Sequence, residues 1–437
     1  MKTTRLILTA LLICGLGSSC FWRPKLADQP EKFSPWTIIL YMSIDNVQFG
    51  SFPTDLWGNT EKILTGLGKR SGSQIPIIIL YDGAKAGDSK IIALHLGEEI
   101  DDQGEIIPES REVNYGDPEM MAKFIIWTAQ HYPARHYLLG LAHHYGWKGY
   151  NTDESSPGPL GMDILTQPEH AQAMEWVRAS GVNIDIIWFE ACSITMLETL
   201  YQYALDAEYV VGNEDTIDFY EEFTRPIRVI NSVSKNPDLT PKELAGLLVE
   251  KTPMLTPSLL SNQFTPYTFA LNPRSPGAKP ELERLGDVWQ PTQFAFSSNG
   301  VMEAKGALDQ LAIYLIEHLD QLQPAIAKAR AQAKEYTLYP WYIDLWDFAE
   351  GLEKSTEDRQ LEILCRNLKE KIDWSITARK KPKTAKRYHG ILIMFPIDRK
   401  EFERETRNEF APEVSYFDLR FSRDGEWDDF LRAYFGK

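Results

Sequence analysis

Cysteine is scarce in this chain: four in 437 residues, at positions 14, 20, 192 and 365. That is too few for a disulfide scaffold. Positive charge is also in deficit, with 46 Lys+Arg against 62 Asp+Glu and a formal charge of −16. The imbalance argues against a protein that tracks nucleic-acid phosphates and suits cationic substrates or partners. The sequence has no Gly-rich phosphate loop, no HExxH pair, no EF-type calcium loop and no internal repeat. His143 and His144 are a poor metal pair, because adjacent residues on an extended strand point to opposite faces. What the chain does have is 43% apolar and 12% aromatic residues, enough to bury a large core. Its length fits two or three units, or one large α/β domain with an appended segment.

The N-terminus reads as a targeting segment. Lys2 and Arg5 precede an apolar run from Leu6 to Leu16, which is too short to span a bilayer as a mature helix. Leu16-Gly17-Ser18-Ser19-Cys20 resembles a bacterial lipobox, in which Cys20 becomes the lipid-bearing first residue; an ordinary signal peptide cut near Cys20 is the alternative. With Cys14 in the leader and Cys20 lipidated, Cys192 and Cys365 remain as thiols that an oxidising compartment could pair. Cys365 sits at helical apolar spacing among Leu361, Leu364 and Leu368 and reads as a small buried hydrophobe.

Over the first 215 residues, short apolar runs alternate with amphipathic stretches. Strands are expected at Trp36–Met42, Ile75–Tyr81, Ile91–Leu96, His136–Ala142, Ile184–Phe189 and Glu208–Gly212, with helical patterns at about 55–68, 117–131, 167–180 and 193–205. Continuous apolar strands separated by helices predict a largely parallel sheet covered on both faces. In such sheets, function gathers at the carboxyl ends of the strands. The second half reads as an irregular Pro-rich stretch around 252–300, helical patterns near 303–333 and 344–371, and a strand at Ile391–Phe395. The basic run Arg379–Arg387 reads as a solvated loop.

Two strand ends carry groups capable of chemistry. Tyr137-Leu138-Leu139-Gly140-Leu141-Ala142 runs into His143 and His144, then Gly146-Trp147. Ile184-Asp185-Ile186-Ile187-Trp188-Phe189-Glu190 delivers Cys192 to the expected start of a helix, where the macrodipole favours a thiolate. A histidine on a nearby strand end could protonate a departing amine.

Trp36-Thr37-Ile38-Ile39-Leu40-Tyr41-Met42 with Asp45-Asn46, Tyr132-Pro133 leading into His143 and Gly146-Trp147, and Glu190-Ala191-Cys192 with Glu198 resemble the clostripain family of cysteine peptidases. The resemblance continues through Asp344-Leu345-Trp346-Asp347-Phe348-Ala349, Gly390-Ile391-Leu392-Ile393-Met394-Phe395-Pro396, and Trp427 with Phe430-Leu431. It implies the caspase-like three-layer α/β/α sandwich shared with gingipains and legumains. It also implies Cys192 as nucleophile, His143 as the acid that protonates the leaving amine, and backbone N–H groups at Cys192 and His144 as the oxyanion hole. His144 stands where the family usually has glycine, which restricts the backbone of that donor. Glu190 stands where the family typically has aspartate at the floor of a pocket for Arg or Lys; the charge is kept and the reach grows by one methylene. Glu214 and Asp215 offer further carboxylates near the same edge, and Asp45 a structural or substrate-loop role. Calcium enters by resemblance alone, and no other cofactor is implied.

The organisation expected is a leader over 1–19, a linker over 20–32, a caspase-like catalytic domain over 33–220 and a mixed α/β region over 221–437 packing on it. The function expected is an exported, lipid-anchored monomeric endopeptidase, periplasmic or on the cell surface, that cleaves proteins after Arg or Lys. The alternative is an impaired pseudopeptidase acting as a surface-binding lipoprotein.

Overall fold

The first expected strand is found at Ser34–Ser43 (β1), buried from Trp36 to Tyr41. The computed structural model describes residues 33–43, 75–83, 87–100, 106–142, 146–153, 162–191, 193–214, 233–251, 292–336, 339–381 and 386–436. The expected helix at 55–68, the leader and the linker lie outside them.

Successive β1 residues bury on opposite sides, as the twofold strand period requires. Ile39 and Tyr41 enter one apolar cluster, and Trp36, Ile38 and Leu40 a second. The same alternation runs through Ile77–Asp82 (β2), Ala134–Ala142 (β5), Ile186–Glu190 (β8) and Tyr209–Asn213 (β9). Burial on both faces is why these strands are almost continuously apolar.

Among the described residues, nine strands form one sheet, in the order Ile376–Lys380 (β12), Gln293–Ser297 (β10), β9, β8, β5, β1, β2, Lys90–Ala93 (β3) and Glu98–Glu99 (β4). The five central strands, β9 to β2, are parallel to their neighbours. Both flanks are antiparallel: Lys90–Ala93 (β3) and Glu98–Glu99 (β4) on one side, Gln293–Ser297 (β10) and Ile376–Lys380 (β12) on the other. Residues on both sides of position 220 therefore supply strands to this sheet. Phe33–Lys437 forms one unit by its internal contacts.

Helices cover both faces. Pro118–His131 begins at Asp117, whose side chain accepts the Glu119 N–H, and Gln167–Ala179 begins at a capping box made by Thr166 and Glu169. These two, with Leu197–Ala204, Ser298–Glu317 and Arg359–Ser375, pack into the first cluster. Pro241–Lys251 covers the opposite face through Leu244, Ala245, Leu248 and Val249. The outcome is the expected α/β/α sandwich.

Several details differ from expectation. The helical pattern over 303–333 is two helices, Ser298–Glu317 and Leu319–Gln332, that meet at His318. The pattern over 344–371 divides likewise into Leu345–Lys354 and Arg359–Ser375. Gln293–Ser297, expected to be irregular, is a sheet strand, and Arg379 and Lys380, expected in a loop, end β12. The strand expected at 391–395 is Leu392–Met394 (β13), paired antiparallel with Tyr342–Asp344 (β11) in a separate two-stranded sheet.

Candidate functional site

The parallel register fixes which chain positions meet at one edge. β5 and β8 pair from Leu138↔Ile186 to Ala142↔Glu190, and β1 runs beside β5 with Tyr41 opposite Leu141. Ser43, Asp82, Ala142, Glu190 and Asn213 consequently end neighbouring parallel strands in the same direction. In sequence, His143 follows Ala142 directly, Cys192 stands two residues past Glu190, Asp45 two past Ser43, and Glu214 and Asp215 follow Asn213. His143, His144, Cys192, Asp45, Asp215 and Cys20 lie outside the described residues, and of Glu190 only the backbone is described.

After position 192 the chain turns over the end of β9. Ser193 has φ +52, in the left-handed region that a non-glycine residue seldom adopts. The N–H groups of Ile194 and Thr195 both donate to the Asn213 carbonyl, at 3.0 and 3.3 Å, capping the end of β9. Ile194 then lies directly over Gly212, where a Cβ would collide with its side chain. Thr195 accepts from Leu392 N–H at 3.0 Å, and Met196 and Leu392 form a parallel bridge. The helix begins only at Leu197, with Met196 as its N-cap. This corrects the expectation of a helix from 193: the amides that would form its first turn are committed to β9. A macrodipole acts over the first turn, so it does not account for activation of a thiol five positions upstream.

Glu198 sits in the first turn of that helix and is completely buried. Its Oε1 accepts from Met394 N–H at 2.9 Å and from the Tyr416 hydroxyl at 2.8 Å. Burial pushes its carboxyl up to about 7, against the pull of those donors. Tyr416 is also fully buried and stands edge-on to Trp147, with ring centroids 5.5 Å apart at 87°. Trp147 belongs to the short 3-10 turn Gly146–Lys148, which begins three positions after His143 in sequence. Beside it, Lys148 Nζ pairs with Glu409 at 2.6 Å, and its carbonyl accepts from Asn408 Nδ2 at 2.8 Å. Glu198 was legible only as a member of the family pattern, and Tyr416 carried no sequence signal.

Glu214 is fully buried, and its Oε2 accepts from Gly390 N–H at 2.6 Å. Gly390 has φ +108, and a Cβ there would press on Ile376 and Phe294. The turn is held by Asp344, which accepts from His389 N–H at 2.7 Å. Glu214 thus anchors a C-terminal turn to the tip of β9. Cys365 is a free thiol buried in Arg359–Ser375, and burial pushes it up to about 12. A thiol held that high is unreactive, and the pairing with Cys192 considered from composition is not made.

Among the described residues, no group of three or more His, Cys, Asp or Glu is placed to hold a metal ion, so the calcium implied by resemblance has no ligand set there. Among the same residues, no helix is long and apolar enough to cross a membrane.

Comparison with known proteins agrees with this architecture. The Clostripain family profile matches residues 59–252, which include β2, β5, β8 and β9 and the positions of His143 and Cys192. Clostripain of Hathewaya histolytica is 24% identical over 378 residues, 73% of this chain and 66% of the relative, so the chain spans just under two thirds of that relative's length. Two solved structures share the fold. One is a secreted C11 cysteine protease from Bacteroides thetaiotaomicron bound to an irreversible peptide inhibitor, with a TM-score of 0.51, 15% identity, and 83% of this chain and 93% of the other covered. The other is an inactive zymogen C11 protease from Parabacteroides distasonis, with a TM-score of 0.53, 15% identity, and 90% and 99% covered. The class defined is the caspase-like α/β sandwich with its candidate site on the carboxyl edge of a parallel sheet. Within that class, the chain is similar to the clostripain family of cysteine peptidases, over residues 59–252 by the family profile.

Proposed function

We propose that the protein is a cysteine endopeptidase that cleaves after Arg or Lys, with Cys192 as nucleophile and His143 as proton donor. The observation that carries this reading is the β5–β8 register, Ala142 opposite Glu190, which brings the two bearing strands to adjacent ends at one edge. The Cys192 thiolate attacks the scissile carbonyl carbon, and the carbonyl electron pair moves to oxygen, stabilised by the backbone N–H groups of residues 192 and 144. Collapse breaks the C–N bond while protonated His143 gives its proton to the departing amine. The resulting thioester is cleaved by water, releasing the carboxylate product and the free thiol.

Glu190 ends β8 beside this position and supplies the carboxylate that reads the cationic side chain. Glu214, committed to Gly390, acts as an anchor, and Asp215 is the next carboxylate in line. The substrate is a peptide or protein with Arg or Lys at the cleaved bond. Export with lipidation at Cys20 follows from the leader pattern, and the secreted C11 neighbour supports export. The test is hydrolysis of Arg- and Lys-reporter peptides by the mature chain, with and without a thiol alkylator. Activity lost on alkylation is expected; binding without turnover would favour the pseudopeptidase.

A further inference from the structure

Outside the two strand ends, one buried network touches both. Glu198 lies six residues past Cys192 on the same continuous segment, and Trp147 lies four past His143. The turn Gly146–Lys148 lies near the helix Leu197–Ala204, and the C-terminal region adds a directed link between Glu198 and Trp147. Tyr416 joins them, with its hydroxyl on Glu198 Oε1 at 2.8 Å and its ring edge-on to Trp147. The C-terminal stretch that presents Tyr416 is fastened at four more points. Leu392 N–H donates to Thr195 O at 3.0 Å, Met394 N–H to Glu198 at 2.9 Å, and Asn408 Nδ2 to Lys148 O at 2.8 Å, while Glu409 pairs with Lys148 at 2.6 Å. The first two hold the cysteine segment, and the last two hold the histidine segment.

Simple packing does not call for this arrangement. A carboxylate with no exposed surface is costly unless its acceptor sites are filled, yet Oε2 of Glu198 has no partner among the described residues. An apolar residue at 198 would suit the surrounding core of Leu197, Leu200 and Met394 at no such cost. What the acid adds is direction, because its single oxygen accepts at once from a backbone N–H and a phenol that come from different parts of the C-terminal region.

We propose that Glu198 and Tyr416 form a joint through which the C-terminal region holds the cysteine-bearing and histidine-bearing strand ends in register, each acting as a positioning residue for the reaction. This rests on the Cys192/His143 reading above. Reaction rate is steeply sensitive to the relative placement of nucleophile and acid, whereas substrate affinity set at Glu190 is not routed through the joint. The joint therefore acts on kcat and leaves KM nearly unchanged.

The test uses the full mature chain, with kcat expressed per thiol titrated by a peptidyl electrophile, so that misfolded enzyme is not counted. Tyr416→Phe keeps the ring on Trp147 and removes the hydroxyl, and Glu198→Leu removes the oxygen that accepts from it, while Glu198→Gln keeps an amide oxygen able to accept from both donors and serves as the conservative variant. Tyr416→Phe and Glu198→Leu are each expected to lower kcat about tenfold or more with KM within about twofold, their combination is expected to be no worse than the poorer single variant, and Glu198→Gln is expected to keep most of the parental kcat. Tyr314→Phe, which deletes a phenol–carboxylate bond to Asp358 of 2.7 Å on other helices, should keep the parental kcat. Parental kcat per titrated thiol in folded Tyr416→Phe or folded Glu198→Leu, or strictly additive losses, overturns the proposal. Turnover that survives Cys192→Ala overturns the underlying reading instead.

Discussion

Glu198 makes a quantitative prediction about stability. Its carboxyl is raised from 4.5 to about 7 by complete burial. At about 1.4 kcal/mol per pH unit, that gap is worth roughly 3 kcal/mol. The sign follows from a folded state that binds the proton more tightly than the unfolded chain. The stabilisation is fully present below about 4.5 and is lost as pH rises through about 7, because ionising a buried acid is what costs. Of the total, about 2.5 kcal/mol disappears between pH 5 and 8.5. The phenols of Tyr416 and Tyr342, whose charges couple to this carboxylate, are held above their ordinary range by burial and stay neutral over that interval. Asp428, raised to about 6, titrates in parent and variant alike and cancels in the comparison. Glu198→Gln cannot titrate, so its stability relative to the parent should climb by about 2 to 3 kcal/mol from pH 5 to 8.5 when urea unfolding is followed by tryptophan fluorescence. A difference that stays flat, or that falls with rising pH, would refute the reasoning.

The remaining predictions concern the site. Cys192→Ala should abolish hydrolysis by several orders of magnitude with little change in melting temperature, whereas Cys365→Ala should leave kcat/KM intact because its thiol is buried and protonated. His143→Ala should lose most turnover, and His144→Gly should retain or improve it by freeing the backbone donor; the reverse order in a reporter assay would move the catalytic role to His144. Glu190→Gln should cut kcat/KM on Arg and Lys peptides by on the order of 10²-fold, and undiminished cleavage would send the search to Asp215. Gly212→Ala should cost about 1–3 kcal/mol in chemical denaturation, because a Cβ there runs into Ile194 and displaces the turn that follows residue 192; an unchanged midpoint would show that Ile194 moves aside freely.

The sheet was legible because its central strands bury both faces, so Ile38-Ile39-Leu40 and Ile186-Ile187-Trp188-Phe189 read as unbroken apolar runs bounded by polar turns. The flanking strands were not. Gln293–Ser297 is five residues long, and its partners are Asn213 and Lys380, far away in sequence, so nothing local announces it. The start of the helix after Cys192 departs from the local pattern for the same reason. Ile194 and Met196 sit at helical spacing from Leu197 and Leu200, but the Asn213 carbonyl and Leu392 claim the backbone groups a helix would use, and tertiary pairing outweighs local pattern. Glu198 could be read as part of a motif, yet its role depends on Tyr416, 218 residues later. That separation hides the joint from any reading along the chain.

The central claim is that chemistry begins at Cys192, and covalent trapping tests it most directly. The mature chain is inactivated with a peptidyl electrophile ending in arginine, digested, and the modified residue located by mass spectrometry. One equivalent of adduct on Cys192, absent from Cys192→Ala and accompanied by complete loss of turnover, is the predicted result. An adduct on Cys365, or full inactivation with Cys192 unmodified, would contradict it.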